Sequence, residues 1–161
     1  MSVNEVTEND LYWMTKAYEL AQKAAQHDEV PVGAVLVNAE NQCIGSGWNQ
    51  PISRNDPTAH AEIVALREAS AKLENYRLTD TTLYVTLEPC PMCAGAIVHA
   101  RVKRVVMATA DPRTGSAGSV YNLLDSPHLN HSVAVQSGVL QPECSGLLKS
   151  FFRGKRMKIE K

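Results

Sequence analysis

The sequence of 161 residues lacks three features that define special classes of protein: long hydrophobic runs, many cysteines and a large net charge. Its longest apolar stretch, residues 30–37, is far too short to span a bilayer, so we predict no membrane segment. Residues 1–5 are acidic and have no apolar core, which leads us to expect no signal peptide and a cytoplasmic location. Four cysteines in such a chain favour reduced thiols or a metal site over a set of disulfides.

The composition is that of an ordinary globular protein, with 44% hydrophobic and 20% charged residues. The length fits one domain over residues 1–161, and we find no repeat or linker. The net charge of -1 hides an uneven distribution, because residues 149–161 contain six Lys or Arg and only one acid. Such a basic tail is either a contact surface for a polyanion or a solvated, frayed terminus, and both interpretations stay open.

Hydrophobic periodicity alternates between the patterns of helices and strands. A capping box at Thr7 to Asp10 starts a helix with an apolar stripe, and Pro91 sits where another helix can start. The predicted helices are 8–25, 59–73, 91–100 and 141–161, and the predicted strands are 32–37, 43–48, 82–87, 102–108 and 133–136. Residues 49–58 and 111–132 are predicted as loops, with room for one helical turn at 121–124. This order predicts a mixed α/β sheet that is covered on both faces and begins with a hairpin.

The predicted helix over residues 92–100 is apolar nearly all round, which is typical of a helix that is buried on every side. One side can cover the sheet. The other side needs a second cover, and either a partner subunit or another helix of the same chain would supply it.

Two short motifs carry the candidate chemistry: His60-Ala61-Glu62 and Pro89-Cys90-Pro91-Met92-Cys93. The two cysteines are three residues apart at a helix N-terminus, where the macrodipole favours the thiolate that binds metal. With His60 they form a set of ligands suited to Zn²⁺, and three protein ligands leave the fourth position open, as in catalytic sites. Cys43 and Cys144 stand in no comparable context, so we interpret them as buried or incidental thiols.

Glu62 follows His60 by two residues, a spacing that in mid-helix would send the two side chains to opposite faces. If His60 lies at the helix cap, Glu62 can reach the water of the metal site and move protons. The alternative is a first-turn acid that only favours the helix dipole. A lone pair of cysteines would indicate a redox site or half a zinc finger, but the combined H-x-E and P-C-x-x-C pattern is the signature of zinc-dependent nucleobase deaminases.

The chain resembles the bacterial tRNA-specific adenosine deaminases, a branch of the cytidine and deoxycytidylate deaminase superfamily, over nearly its whole length. The zinc motifs are common to the superfamily, whereas Asp111, Asn130-His131 and the Phe151-Phe152-Arg153 tail point to the tRNA branch. The similar segments are residues 29–34, 47–49, 56–63, 83–90, 92–96, 111–115, 130–131 and 151–153.

The resemblance implies a three-layer α/β/α sandwich with a roughly five-stranded mixed sheet, a homodimer, one Zn²⁺ per subunit and no nucleotide cofactor. Its implied reaction converts the wobble adenosine of a tRNA anticodon stem-loop to inosine: hydroxide formed at the zinc attacks C6 of the flipped adenine and ammonia leaves. The residues that it assigns are His60, Cys90 and Cys93 as metal ligands, Glu62 as proton shuttle, and Asn49, Asp111, Phe152, Arg153 and Arg156 as contacts to the RNA.

Other interpretations of the same residues stay open. Without the resemblance, Asn49 is equally well a turn residue before Pro51, and Asp111 a loop residue before a proline. A deaminase of free guanine, cytosine or a nucleotide would use the same zinc motifs and would not need the basic tail. A non-catalytic zinc module that binds RNA would instead close its metal site with a fourth ligand.

Overall fold

The computed structural model describes residues 5–159 and shows a five-stranded sheet between helices. The elements in chain order are α1 (Glu8–Gln26), β1 (Gly33–Val37), β2 (Cys43–Trp48), α2 (Pro51–Arg54), α3 (Ala61–Leu73), β3 (Thr82–Leu87), α4 (Pro91–His99), β4 (Arg104–Thr109), β5 (Ala134–Gln136) and α5 (Gln141–Ile159). Within the described residues, no helix has the length and apolar character that a membrane span requires.

The sheet is mixed, as predicted, with strand order β2-β1-β3-β4-β5. β1 is antiparallel to β2, which confirms the hairpin, and it is also antiparallel to β3. β3, β4 and β5 run parallel to one another. The start of β1 and the ends of β2 and β3 therefore lie at the same edge of the sheet, and this edge supports the candidate site.

Alternate side chains of the central strands feed two separate cores, because successive residues of a strand point to opposite faces. Leu36, Leu83 and Val105 pack with α3 and α4 on one face. Val35 and Val106 pack with α1 and α5 on the other. This arrangement confirms the predicted three layers.

Glycines let two helices lie directly on strand backbones. A Cβ at Gly33 would overlap α1, and a Cβ at Gly45 or Gly47 would overlap α3. The contact at Gly47 is with the first two turns of α3, since a methyl there would lie 2.6 Å from the carbonyl oxygen of Ala61 and 2.7 Å from Cβ of Val64. The bare backbone of β2 thus fixes how close the N-terminus of α3 comes to the sheet.

The predicted loops differ from the structure in two places. Residues 51–54 form the short helix α2, which starts with Pro51 at its N-terminus, a favoured position for proline. Residues 121–124 form no helical turn, because Asn122 instead pairs with Ala117 in an isolated antiparallel bridge. This bridge depends on how residues 111–119 close into a loop, and no local periodicity in the sequence reveals that closure.

Within the described residues, α4 is buried on one side only, and cover of its other side by a partner subunit stays a prediction. Cys93, Ala94, Ile97 and Val98 face the core. The other side carries Met92, Gly95, Ala96 and His99, which are exposed or partly exposed, and a Cβ at Gly95 would meet nothing within 4 Å. No helix among residues 5–159 covers this side, so the same-chain alternative is wrong for the part of the protein that the structure describes.

Candidate metal centre

The three predicted ligands come together although 30 residues separate His60 from Cys90. Nδ1 of His60 lies 3.6 Å from Sγ of Cys90 and 3.5 Å from Sγ of Cys93. All three ligand atoms lie within 4.8 Å of one another, and no fourth His, Cys, Asp or Glu of residues 5–159 joins the group.

Helix N-termini present all three groups. His60 is the N-cap residue of α3 and has extended backbone angles, φ -70° and ψ 155°. Cys90 occupies the same position before α4, and Cys93 lies in the first turn of that helix. The free N–H groups and the dipoles of both helices favour negative charge at this point, so they favour thiolates.

The two thiols lie side by side and shift each other's pKa in opposite directions. A hydrogen bond from Cys93, together with the neighbouring His60, lowers the pKa of Cys90 to about 4. The same hydrogen bond and burial raise the pKa of Cys93 well above the usual value of a thiol. Metal binding requires the displacement of such protons, and one imidazole nitrogen with two sulfurs is a donor set that fits zinc.

Glu62 lies in the first turn of α3 and is only 4% exposed. Because His60 is still extended and Ala61 is the first helical residue, Glu62 shares the side of its neighbour His60, as the sequence argument required. Burial raises the pKa of the Glu62 carboxyl to about 7, and the nearby Cys90 adds to this effect. A bound cation would lower that pKa again. A carboxyl that titrates near neutrality can both accept and return a proton.

Asn49 follows the last residue of β2 and is 8% exposed. Its Oδ1 accepts a hydrogen bond of 2.8 Å from the backbone N–H of Ala61, one of the N–H groups that a helix start leaves without a partner. Its Nδ2 has no partner among residues 5–159, which leaves the amide free to donate to a ligand. Asn49 therefore does more than form a turn, because it ties β2 to the helix that carries Glu62.

Two buried glutamates that the sequence analysis missed hold the loops around the centre. The Glu29 carboxylate accepts from the backbone N–H of Ile52 at 3.2 Å and from that of Ser53 at 2.7 Å. Glu88 holds residues 111–119 in a similar way. Neither glutamate stands out in the sequence, because most of their partners are backbone N–H groups, which leave no residue-specific signal.

Asp111 begins the loop that Glu88 holds, and its side chain folds back on that loop. The carboxylate accepts from the N–H of Arg113 at 2.9 Å and from the hydroxyl of Thr114 at 3.2 Å. The structure therefore places Asp111 in a turn of the kind that its sequence context predicts. It is not one of the residues of the metal group.

The predicted RNA contacts of the tail lie on α5, apart from the metal group. Phe152, Arg153 and Arg156 are exposed, with Phe152 at 43%. The neighbouring Lys155 binds Asp28, with Nζ 2.6 Å from Oδ1, and lies over the ring of Phe151. Residues 149–158 are thus helical, but most of their side chains are exposed, so the solvated terminus and the polyanion contact both stay open. Glu160 and Lys161 lie outside the described residues.

The two remaining cysteines lie away from the centre. Cys144 is buried in the core between α1, α5 and the sheet, as predicted. Cys43 is exposed at the start of β2 and has no metal partner among the described residues, which fits its interpretation as an incidental thiol.

Known proteins resemble this chain over most of its length. Residues 7–109 match the family model described as the cytidine and deoxycytidylate deaminase zinc-binding region. The chain is 52% identical to a tRNA-specific adenosine deaminase of Haemophilus influenzae over 96% of its own length and 91% of that protein. It is 46% identical to the protein of that name from Bacillus subtilis, over 95% and 94% of the two chains. A solved structure from work on A-to-I editing by tRNA:A34 deaminases superposes with a TM-score of 0.82 at 40% identity, covering 85% of this chain and 99% of that one.

Proposed function

The chain belongs to the cytidine and deoxycytidylate deaminase zinc-binding family, and from this we propose that it converts adenosine to inosine at the wobble position of a tRNA anticodon. The observation that carries the chemistry is the convergence of His60, Cys90 and Cys93 beside the buried Glu62. The choice of substrate is supported by the near full-length similarity to proteins named tRNA-specific adenosine deaminases.

In the proposed site, His60, Cys90 and Cys93 hold one zinc ion per subunit. When bound with an open fourth position, zinc supplies Lewis acidity that brings the pKa of a coordinated water towards neutrality. Glu62 takes one proton from the attacking water and delivers it to the ring nitrogen. It then moves the proton of the new C6 hydroxyl to the exocyclic amine, which leaves as ammonia as the C6–N bond breaks and the C6 carbonyl forms. Water and adenosine are consumed, and inosine and ammonia are formed, so the reaction needs no nucleotide cofactor.

Five side chains are the proposed contacts to the RNA. The Nδ2 group of Asn49 donates to the flipped base, and Asp111 contacts the nucleotides that flank it. An unpaired loop base is the least costly to extrude, because no base pair must be broken. On α5, Arg153 and Arg156 bind phosphates and Phe152 offers a stacking surface.

The attachment of α5 supports this role of the tail. Lys155 pairs with Asp28, the neighbour of Glu29, and Glu29 holds α2, which begins two residues after Asn49. The basic half of α5 is therefore linked to the part of the chain that enters the candidate site. Since Lys155 is used within the fold, Arg153 and Arg156 are the better candidates for contacts with phosphate.

The proposed enzyme is a homodimer that pairs through the uncovered side of α4, and it acts in the cytoplasm, where tRNA is processed. The support is the open side of α4 at Met92 and Gly95, which residues 5–159 leave exposed or partly exposed and which lies on the same helix as Cys93. Exposed apolar helix faces of this kind are typical of subunit contacts.

The test is a deamination assay with zinc-loaded protein and an anticodon stem-loop that carries adenosine at the wobble position. Free adenosine, cytosine and guanine are assayed alongside, and Glu62→Gln is the control variant. We expect inosine in the stem-loop only, and we expect Glu62→Gln to keep its zinc and lose about 10²- to 10⁴-fold in rate.

Other results would replace the proposal. Turnover of a free base with the RNA untouched would make the protein a nucleobase deaminase with the same centre. RNA binding without any turnover would make it a non-catalytic zinc module. An active Glu62→Gln variant would show that the proton shuttle is another group.

A further inference from the structure

Glu88 is a buried carboxylate between the end of β3 and the metal motif, and it is 2% exposed. It accepts hydrogen bonds from the backbone N–H groups of Asp111 at 3.0 Å, Ala117 at 2.9 Å and Ser119 at 3.1 Å. The hydroxyl of Ser119 donates to it as well. Four donors from a single loop thus converge on the two oxygens of one side chain.

This set of donors requires an acceptor without hydrogens of its own. An ionised carboxylate offers about four acceptor positions, which the four donors fill. Among residues 5–159, no lysine or arginine forms an ion pair with Glu88, so the hydrogen bonds alone compensate its buried charge. Gly115 lies so close that any Cβ there would overlap the carboxylate. The loop is therefore wrapped around this one group.

The segment of residues 88–90, which binds the loop through hydrogen bonds, also carries the candidate metal ligand Cys90. The carbonyl oxygen of Pro89 accepts from the N–H of Ser116 at 2.8 Å, and the N–H of Glu88 donates to Thr109 at the end of β4. Cys90 comes next in the chain and starts α4. Residues 88–90 thus join the sheet, the candidate metal centre and the 111–119 loop through adjacent atoms.

We propose that Glu88 is a positioning residue for the deamination, which fixes the 111–119 loop relative to Cys90 so that Asp111 meets the nucleotides beside the target base. The inference rests on the proposed function for its substrate. Glu88 touches neither the RNA nor the metal and acts through the loop. Removal of a hydrogen-bonding residue that orients a site from outside it commonly changes affinity or activity by about 10- to 100-fold.

The test compares Glu88→Gln with Asp10→Asn, which makes the same carboxylate-to-amide change at a buried site elsewhere. Asp10 is 1% exposed and binds Arg104, the first residue of β4. Glu88 follows the last residue of β3, which runs parallel to β4, so the two acids lie at opposite ends of these strands. The side-chain amide introduced by Glu88→Gln would turn an N–H group towards donors that need an acceptor. We expect Glu88→Gln to speed hydrogen exchange of the backbone amides of residues 111–119 more than that of the β3 amides, whereas Asp10→Asn, which lowers the stability of the whole fold, should not single out this loop.

The kinetic readout is the split between KM and kcat on the stem-loop, at full zinc content. We expect Glu88→Gln to raise KM by about 10-fold or more with kcat little changed, because the loop contacts the RNA and the centre stays intact. Asp10→Asn should leave both constants of the folded protein as they are. If Glu88→Gln does not fold, Ser119→Ala removes one donor and should show the same changes at a smaller size.

The outcomes separate the two proposals. A wild-type protein that is inactive on the stem-loop overturns the proposed function. An active wild-type protein together with a Glu88→Gln variant that exchanges hydrogen and turns over like it overturns the role of Glu88 alone. Loss of kcat with KM unchanged, equal in Glu88→Gln and Asp10→Asn, reduces Glu88 to a general stabilising residue and also overturns the inference.

Discussion

Replacement of Gly47 by alanine tests whether the backbone of β2 sets the position of the catalytic groups. The added methyl would lie 2.6 Å from the carbonyl oxygen of Ala61, whereas ordinary contacts begin at 3.4 Å, so α3 must retreat by about 0.8 Å. His60 and Glu62 lie at the start of that helix and would move with it. A misplacement of about 1 Å costs roughly 10²-fold in activity, and overpacking of this kind costs about 1–3 kcal/mol in stability.

The assay measures the free energy of unfolding, zinc affinity by competition with a chelator, and kcat/KM on the stem-loop. Gly146→Ala is the matched control, because this glycine of α5 has nothing within 4 Å of its added Cβ. The control should gain about 0.5–1 kcal/mol in stability and keep its activity and zinc affinity. If Gly47→Ala is destabilised but keeps normal zinc affinity and kcat/KM, then Gly47 does not set the geometry of the centre and our reasoning is refuted.

Three further predictions concern other parts of the molecule. Burial opposes the ionisation of Asp10, but hydrogen bonds from Arg104 and Tyr84 outweigh burial and lower the pKa of the carboxyl below 3.8. The contribution of Asp10 to stability is therefore complete above about pH 3.8 and is lost as the pH falls further. In urea unfolding, Asp10→Asn should therefore lose about 3–5 kcal/mol at pH 7, with the difference shrinking below about pH 4, and a gap that does not change with pH would contradict this. Arg153→Ala should weaken binding to the stem-loop and lower the slope of log affinity against log salt concentration by about 0.7. The control Lys16→Ala on α1 should change neither the affinity nor the slope. An unchanged slope in Arg153→Ala would show that Arg153 does not contact phosphate. Gly95→Arg, where an added Cβ meets nothing within 4 Å, should turn the proposed dimer into a monomer in sedimentation, and a monomeric wild type would overturn the dimer itself.

Local signals in the sequence predicted most of the fold. The capping box at Thr7 is present, with both hydrogen bonds between Thr7 and Asp10. The sequence could not show that Asp10 also pairs with Arg104, 94 residues later, because that contact depends on how α1 lies across the sheet. The helix α2 was missed since four residues carry no periodicity, and Pro51 was its only local mark.

In the candidate centre too, the local motifs were predictable from the sequence, whereas the geometry set by the fold was not. The convergence of His60 with Cys90 and Cys93 was predictable because the two motifs together are specific, although 30 residues separate them. The extended backbone at His60, on which the use of Glu62 depends, was only a condition in the sequence argument. Glu29 and Glu88 were missed because their partners are backbone N–H groups, which every residue type except proline offers, so no sequence pattern marks them.

The placement of the helices on two sides of the sheet divides the molecule into parts that can change independently. The layer of α3 and α4 carries the metal motifs, while α5, with Arg153 and Arg156, belongs to the opposite layer. None of the three candidate metal ligands lies on α5, so the metal group and the basic surface are separate stretches of the chain. Under the proposed function, substitutions at the exposed Arg153 and Arg156 could change which RNA is bound while every ligand of the metal is retained.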